Sequence, residues 1–546
     1  MYDIKRIIED VLQHNQNDGY FANGSSMNDS QRRAVDLIRS AYESQGIGVV
    51  QGPPGTGKTT VVVKGIEELL SRIAEDKRVK LIYVAPTDKL VVDTYSQVLR
   101  LMRFTDMSDV LRRTRIMASQ VGPDEIVSAL RAPIDDDTVF IATTDYQIPR
   151  SKGSGFKYVM LVDEASKSPI YKFLTPVSLE LVRAVKLGYK VSLESLSVVG
   201  DPMQAISIEE LYRKKVDYLL MERLLRSILN DLGIDPDNLE ESNTCGSVYR
   251  EIINEETLSK LENFQMLNIT YRLPSPSHEI ISRGFYGGLL RAQYSTRDRV
   301  SLNDDTLTRF HDCISNSKIA ETIIDAVRDQ IGIVYLHTKE QAYNNVYGQN
   351  IDTKRAYMAI EAAIISSIAT GKSTTILPVY RDMVNYIKFV MKTDNRYSTC
   401  LKKIEAVGIR INVVTAHAML GSEDHNVVAV LGKEYLLDHI SESKRPTLYF
   451  KEPEIFNVQF SRHKGLLVIV GNVERLSRYA KRQIRRFHPS QNNSSAIKQS
   501  LKRQLLCSSS TLSDSANALL ELCGLEHKGN SVRLVRNTGM CEVVFL

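Results

Sequence analysis

An α/β fold with two parallel sheets in tandem is the prediction of this sequence, and three observations carry it. Short apolar, β-branched runs recur in two groups of five. Stretches with helical periodicity lie between many of them, as at 59–74 and 357–370. The first run leads directly into the glycine-rich "GPPGTGKTT" at 52–60, which opens a helical stretch. Continuous apolar runs of this length read as strands buried on both faces of a parallel sheet. Their alternation with helices implies crossover units.

In order, the first group is "GIGVVQ" (46–51), "LIYVAP" (81–86), "TVFIATT" (138–144), "YVMLVDEA" (158–165) and "LSVVGDP" (196–202). The second is "GIVYLH" (332–337), "TTILPVY" (374–380), "INVVTAH" (411–417), "NVVAVLG" (426–432) and "LLVIVGN" (466–472). Between them, 94–137 and 205–262 are long, charged and helical in pattern, and read as helical insertions on the first sheet. The polar stretch 291–330 is expected to cross between lobes. The organisation that follows is an N-terminal helical segment at 1–26, a first domain at 27–300, a second at 301–485 and a C-terminal extension at 486–546.

Length and composition agree with this. At 546 residues the chain exceeds what one core accommodates. It is 43% hydrophobic and 25% charged, with a net charge of +5, which permits a polyanionic partner without demanding one. From Val473 to Ser510, nine Lys or Arg stand against the single acid Glu474. Such a run is either a solvated helix face or a surface for a phosphate backbone. Six scattered cysteines include no C-x-x-C pair, so neither a zinc ribbon nor a disulfide framework is expected, and a reducing, intracellular location fits. The N-terminus "MYDIKRIIEDVLQHNQ" is too charged for a signal peptide, and no apolar run is long enough to span a membrane.

The chemistry begins at the glycine-rich loop. Gly52, Pro53, Pro54, Gly55, Thr56, Gly57, Lys58 and Thr59 form the full P-loop pattern, with Thr60 following. Its glycines let successive N–H groups curl around phosphates, and the helix N-terminus adds its positive end. Lys58 reaches the terminal phosphates of ATP, and the Thr59 hydroxyl is a ligand for Mg²⁺. In "MLVDEAS", Asp163 leaves a buried strand at the edge where the P-loop lies and is the second candidate for the metal. Glu164, next in line, is placed to polarise the attacking water. In "VVGDPMQ", Gly200, Asp201 and Pro202 form a tight turn that places Gln204 to sense the γ-phosphate.

Taken together and in this order, "GPPGTGKTT", "VDEAS" and "GDPMQ" resemble superfamily 1 helicases, most of all the branch containing the nonsense-mediated-decay helicase, senataxin and the nidovirus helicase. "MNDSQRRAV" (27–35), "APTDKLVVD" (85–93), "IATTDY" (141–146), "LNITYRLPSPSHEIISRGFYGGLL" (267–290), "VVTAHAMLGSEDHNVVAV" (413–430) and "FNVQFSRHKGLLVIVGN" (456–472) resemble further motifs of that family, so the likeness spans roughly 27 to 472. The resemblance implies two RecA-like P-loop domains. It implies that Gln31 reads the adenine edge, Tyr271 stacks on its face, Arg272 and Arg462 contact the γ-phosphate, and Glu423 lines the nucleotide side. Pro86, Thr87, Thr143, Tyr380, Thr415 and His417 take the places of nucleic-acid contacts.

Four departures stand out. His417 replaces an acid and Leu420 a glutamine; Tyr380-Arg381 lacks the usual downstream Gln; His463 stands where a small residue is commoner; and little precedes Gln31, leaving no room for an accessory barrel. The expected activity is that of an ATP-dependent helicase translocating on single-stranded DNA or RNA, for which the resemblance implies 5′ to 3′ polarity, with ATP and Mg²⁺ as cofactors and no membrane partner. The alternatives are a translocase that remodels nucleoprotein without unwinding duplex, a slow nucleotide-dependent switch, and an unrelated P-loop kinase. The last leaves Arg272, Arg462 and the second sheet unexplained.

Overall fold

The computed structural model describes residues 27–73, 76, 78–104, 113–117, 137–144, 156–166, 168–204, 220–231, 233, 258, 260–314, 317, 319–338, 350–419, 421–432, 449, 452–487, 496–528, 531–535 and 537–545. The expectations placed on 1–26, on most of 205–259 and on Leu420 lie outside these residues. The described residues divide into two units, and the boundary falls between Asn268 and Ile269 rather than at 300. The stretch 291–330, expected to cross between lobes, belongs to the second unit throughout.

The first unit is a seven-stranded, all-parallel sheet. Its strands are β1 (Ile47–Gln51), β2 (Val79–Ala85), β3 (Thr114–Met117), β4 (Phe140–Thr144), β5 (Lys157–Val162), β6 (Ser192–Gly200) and β7 (Phe264–Met266), in the order β3-β4-β2-β5-β6-β1-β7. Helix α1 (Asp29–Glu43) is opened by a capping box, in which Asn28 Oδ1 accepts from Gln31 N at 2.9 Å while Asn28 N donates to Gln31 Oε1 at 3.1 Å. Helix α2 (Lys58–Ile73) buries Val61, Val62, Ile66, Leu69 and Leu70 against the sheet. Burial of each such side chain stabilises the unit by roughly 1.5–3 kcal/mol. Helix α3 (Asp88–Phe104) is the crossover after β2. The stretch 94–137, read as an insertion, is therefore partly framework: it holds most of α3 and the edge strand β3. Both were hard to see because β3 has only four residues and charged neighbours.

In the second unit, two short strands, β8 (Ile269–Thr270) and β9 (Arg291–Ala292), pair beside helix α4 (Glu279–Phe285). The main sheet comprises β10 (Ile333–His337), β11 (Thr374–Pro378), β12 (Ile411–Val413), β13 (Asn426–Val430) and β14 (Leu467–Gly471), with β15 (Leu525–Lys528) and β16 (Ser531–Leu534) forming a separate antiparallel hairpin. A sixth strand, β17 (Glu542–Phe545), completes the parallel order β12-β11-β13-β14-β10-β17. The C-terminal stretch thus contributes to the second sheet instead of standing apart as an extension. Helices α5 (Thr353–Thr370), α6 (Arg381–Thr393), α7 (Glu454–Phe460), α8 (Val473–Phe487) and α9 (Ala496–Leu522) complete the parts used below. Four of the six cysteines pair, Cys313 with Cys400 and Cys523 with Cys541, against the expectation of no disulfides. Partners 87 and 18 positions apart are joined by the fold and are not legible as a spacing motif. Among the described residues, no helix is long and apolar enough to cross a membrane.

Arg355, 1% exposed, fastens the second sheet. Its guanidinium donates to Thr338 Oγ1 (2.9 Å), Leu431 O (3.1 Å) and Gly432 O (3.2 Å), and lies 3.4 Å from Asp352 Oδ2. Asp352 caps α5 by accepting from Arg355 N at 3.0 Å. One side chain therefore joins the ends of β10 and β13 to the start of α5. Replacing Arg355 by Met strands the buried carboxylate and two carbonyls, and should lower stability by roughly 3–5 kcal/mol. Urea unfolding of parent and variant checks this; a loss below about 1 kcal/mol would mean that the pair contributes no more than a surface ion pair.

Candidate functional site

Parallel pairing brings the ends of β5, β6 and β1 side by side, and the sequence-predicted nucleotide residues lie just beyond those ends. The P-loop follows β1. Gly57 has φ +82°, a left-handed conformation that disfavours a side chain, and a Cβ there would meet Gln31 Nε2 at 2.5 Å. Thr56 is buried, with its hydroxyl donating to Pro53 O at 2.8 Å. Lys58 Nζ donates to Gly52 O at 2.6 Å, so the lysine folds back over its own loop. Thr59 and Thr60 lie in the first turn of α2 and are half-buried. Gly52 N donates to Gly200 O at 2.8 Å, which fastens the P-loop to the turn after β6.

Asp163 follows β5 and is 3% exposed. Its Oδ1 accepts from Glu164 N at 2.8 Å, and its Oδ2 accepts from the Tyr83 hydroxyl at 3.1 Å. Burial first, then the neighbouring Glu164 carboxylate, push the Asp163 carboxyl up to about 6, against the Glu164 N–H, Lys58 and Tyr83, which pull it down. Glu164 itself holds φ +49°, uncommon for a residue with a side chain and frequent at functional turns. In the turn after β6, Asp201 N donates to Ser166 Oγ at 3.1 Å, and Asp201 accepts from Gln204 Nε2. Gly200 is required here, because a Cβ would sit 2.9 Å from Ser166 N. Mg²⁺ takes hard oxygen donors, usually one or two from protein with the remainder from phosphate and water. Asp163 and Thr59 carry oxygen donors of that kind, and the buried Asp163 carboxylate is an anion that a dication would relieve.

Gln31, assigned to the adenine edge by resemblance, is 4% exposed and already engaged. Its Nε2 donates to Thr56 O at 3.0 Å and its Oε1 accepts from Asn28 N. In this structure it braces the P-loop. Pro86 and Thr87 follow β2, and the Thr87 side chain is exposed. Thr143 is fully buried, with its hydroxyl on Thr144 O at 3.3 Å, so the structure does not present it to a ligand.

The second unit separates its candidates between the two ends of its sheet. Before β13 and β14, three segments are stitched together. Arg272 Nε donates to Glu423 Oε2 at 2.6 Å and its Nη1 to Ser461 O at 3.3 Å; Glu423 also accepts from Lys464. Burial tends to raise the Glu423 carboxyl, but Arg272 and Lys464 together bring it below its ordinary value. Arg462 is 2% exposed, its Nη1 3.5 Å from Ser422 O, and Asp424 N donates to its carbonyl at 3.0 Å. Tyr271 stands beside Arg272, with its carbonyl accepting from Arg299 at 3.2 Å. Beyond the opposite strand ends lie Tyr380, which opens α6, with Thr415 and His417. His417 Nε2 is 3.7 Å from Glu452 Oε2, so the motif that lacks its usual acid at 417 has one brought to it from 452.

His463 is fully buried, with Nε2 2.7 Å from Ser277 Oγ. Ser277 spends its only proton on Pro274 O at 2.9 Å, so it accepts from His463 Nε2–H. Nδ1 is then a bare lone pair with no partner among the described residues. The unusual histidine thus ties the Arg462 segment to the Arg272 segment. Ser277, Glu452, Lys464, Ser166 and Tyr83 were not singled out in the sequence; Ser166, Ser277 and Lys464 carried a signal, by lying inside recognised motifs.

A P-loop, a buried acid at the end of the next strand but one and a second α/β sheet define a P-loop nucleoside triphosphatase with two parallel-sheet units. An AAA-domain family model matches residues 26–138, and a second AAA-domain model matches 248–474; together they cover more than half of the chain. The chain belongs to the superfamily 1 helicases, in the branch that includes the nonsense-mediated-decay helicase. Among solved structures it is similar to the DUF1998 helicase MrfA bound to DNA and AMPPNP, at 11% identity and a TM-score of 0.34, over 94% of this chain and 62% of that one. This chain therefore spans 62% of the length of that relative. No curated protein matches the sequence.

Burial, helped by Arg272 and His425, drives the His463 imidazole down from 6.5 to about 3. An unfolded histidine takes its proton near pH 6.5, whereas the folded one resists. Stability is therefore full above about pH 6.5 and falls as pH drops from there towards 3, by about 1.4 kcal/mol per unit. The Asp163 carboxyl, raised to about 6, gives a slope of the opposite sign below that pH, so the histidine's share is the difference between parent and His463→Gln urea melts from pH 7 to 5, which should change by about 1.4 kcal/mol per unit below pH 6.5. An unchanged slope in the variant would assign the acid sensitivity to another group.

Proposed function

We propose that this chain hydrolyses ATP with Mg²⁺ and uses the energy to move 5′ to 3′ along single-stranded DNA or RNA, opening duplex as it advances. The observation that carries this reading is the convergence, at adjoining strand ends of the first unit, of the P-loop, Asp163, Glu164 and Gln204. Lys58 exchanges its bond to Gly52 O for the terminal phosphates. Thr59 and Asp163 hold the cation, which when bound neutralises charge developing on the transferred phosphoryl oxygens. Glu164 orients water, and Gln204 reports on the γ-phosphate through Asp201. By the resemblance, Arg272 and Arg462 are the candidates for contact with the γ-phosphate. Thr87, Tyr380, Thr415 and His417 hold the strand, largely through its phosphates.

Helix α8 supports a polyanionic partner. Arg475, Arg478, Lys481, Arg482 and Arg485 share one face, opposite buried Leu476, Ala480 and Gln483. Surface helices ordinarily intersperse both signs of charge; here a single sign prevails, with Glu474 beside Arg478 the one acid.

Lys58→Ala should abolish ATP turnover without unfolding the protein. Arg462→Ala should retain nucleotide binding while cutting turnover by on the order of 10³-fold or more; turnover at the parent rate would overturn the arginine's role. ATP hydrolysis alone, with single-stranded DNA and with RNA of the same sequence identifies the strand. Duplexes with 5′ or 3′ tails test unwinding and its direction, and stimulated hydrolysis with neither duplex opened would favour a remodelling translocase. Neutralising Arg482, Arg485 and Arg486 together should reduce the slope of log affinity against log salt by about 2 on a single strand. An unchanged slope would make the α8 face a solvated surface.

A further inference from the structure

We propose that Tyr83 is a positioning residue for the cation-binding carboxylate of Asp163, and that Thr94 holds Tyr83 in that role; this rests on the ATP-hydrolysis reading above. Tyr83 lies on β2, beside the strand that ends at Asp163, with Val84 O accepting from Asp163 N at 2.8 Å. The tyrosine is fully buried. Its neighbours in "LIYVAP" are aliphatic, and an aliphatic side chain or Phe would fill the same space. The hydroxyl is what distinguishes it, and a buried hydroxyl must find partners. It has two: Asp163 Oδ2 at 3.1 Å and Thr94 Oγ1, on α3, at 3.0 Å.

The effect falls on the carboxylate. With Glu164 N on Oδ1 and Tyr83 on Oδ2, each oxygen carries one donor, and the plane of the group is set. An ionised carboxylate has about four acceptor sites, so each oxygen keeps one for a cation or its water. Without the phenol, Oδ2 is free to turn away. Partners of this kind, one bond removed from the metal, orient ligands, and their loss commonly costs 10–100-fold in metal affinity.

The test is Mn²⁺ binding, followed by electron paramagnetic resonance in the presence of AMPPNP, for the parent, Tyr83→Phe and Thr94→Val. Tyr83→Phe removes one oxygen and retains the ring. It should weaken Mn²⁺ binding about 10-fold or more while leaving metal-free AMPPNP binding within about twofold of the parent. Thr94→Val should shift Mn²⁺ affinity in the same direction by less. Mn²⁺ affinity within twofold of the parent for Tyr83→Phe would overturn the proposal and leave Tyr83 a packing residue. If Tyr83→Phe does not fold, Thr94→Val decides, and parent-like Mn²⁺ affinity there overturns it. A parent protein that fails to bind Mn²⁺ with AMPPNP at all would instead overturn the hydrolysis reading, and this proposal with it.

Discussion

Pairing of β1 with β6, and of β6 with β5, underlies the first unit's chemistry. Because all three strands run the same way, the chain leaves each at the same edge, and three segments distant in sequence become neighbours. The Gly52 to Gly200 hydrogen bond is a direct result, joining the phosphate loop to the turn that carries Asp201 and Gln204. Ser166 ties the Asp163 turn to that same place. Close approach of this kind tolerates no side chain at Gly200 and no ordinary residue at Gly57. The site is thus a property of strand direction before it is a property of any catalytic side chain.

Much of this was legible in advance. Strands such as "YVMLV" and "LLVIV" are long, β-branched and apolar because both faces are buried, and the motifs at their ends follow from that placement. What escaped notice had weaker local signals. β3 and β17 are four-residue edge strands, and β7 has three, so their pairing is decided by the sheet and not by their own composition. The hydrogen bonds of Gln31 were illegible for a different reason. Its position implied a nucleotide contact, while the capping box and the Thr56 carbonyl decide where its amide points. The cysteine pairs could not be read from spacing: two helices bring Cys313 to Cys400, and the segment entering β17 brings Cys541 to Cys523 at the end of α9.

The departures from the family pattern acquire physical content. His463 is a cross-link between two arginine-bearing segments, neutral because it is buried, and it fits only because Ser277 presents an acceptor. His417 has Glu452 within ion-pair range. In both cases an unusual side chain is matched by a second residue far along the chain. The second sheet also separates its tasks. The arginine cluster precedes β13 and β14, whereas Tyr380, Thr415 and His417 follow strand ends; the strands link the two groups, and so does α7, which lies between the Glu452 that faces His417 and the pair Ser461 and Arg462. The four central strands, β10, β11, β13 and β14, are buried throughout, and Arg355 fastens the far end.

The sheet of the second unit gains its last strand late. About 70 residues separate the end of β14 from β17, which pairs only with β10. At the pace of protein synthesis that interval is about 4–14 s. During it, the edge of β10 is an unpaired row of amides and carbonyls next to an apolar core, the kind of edge that recruits a foreign strand. A nascent chain halted within this interval would expose that edge for as long as the halt lasts. Its fate would then depend on whether a chaperone or a second nascent chain reached β10 first.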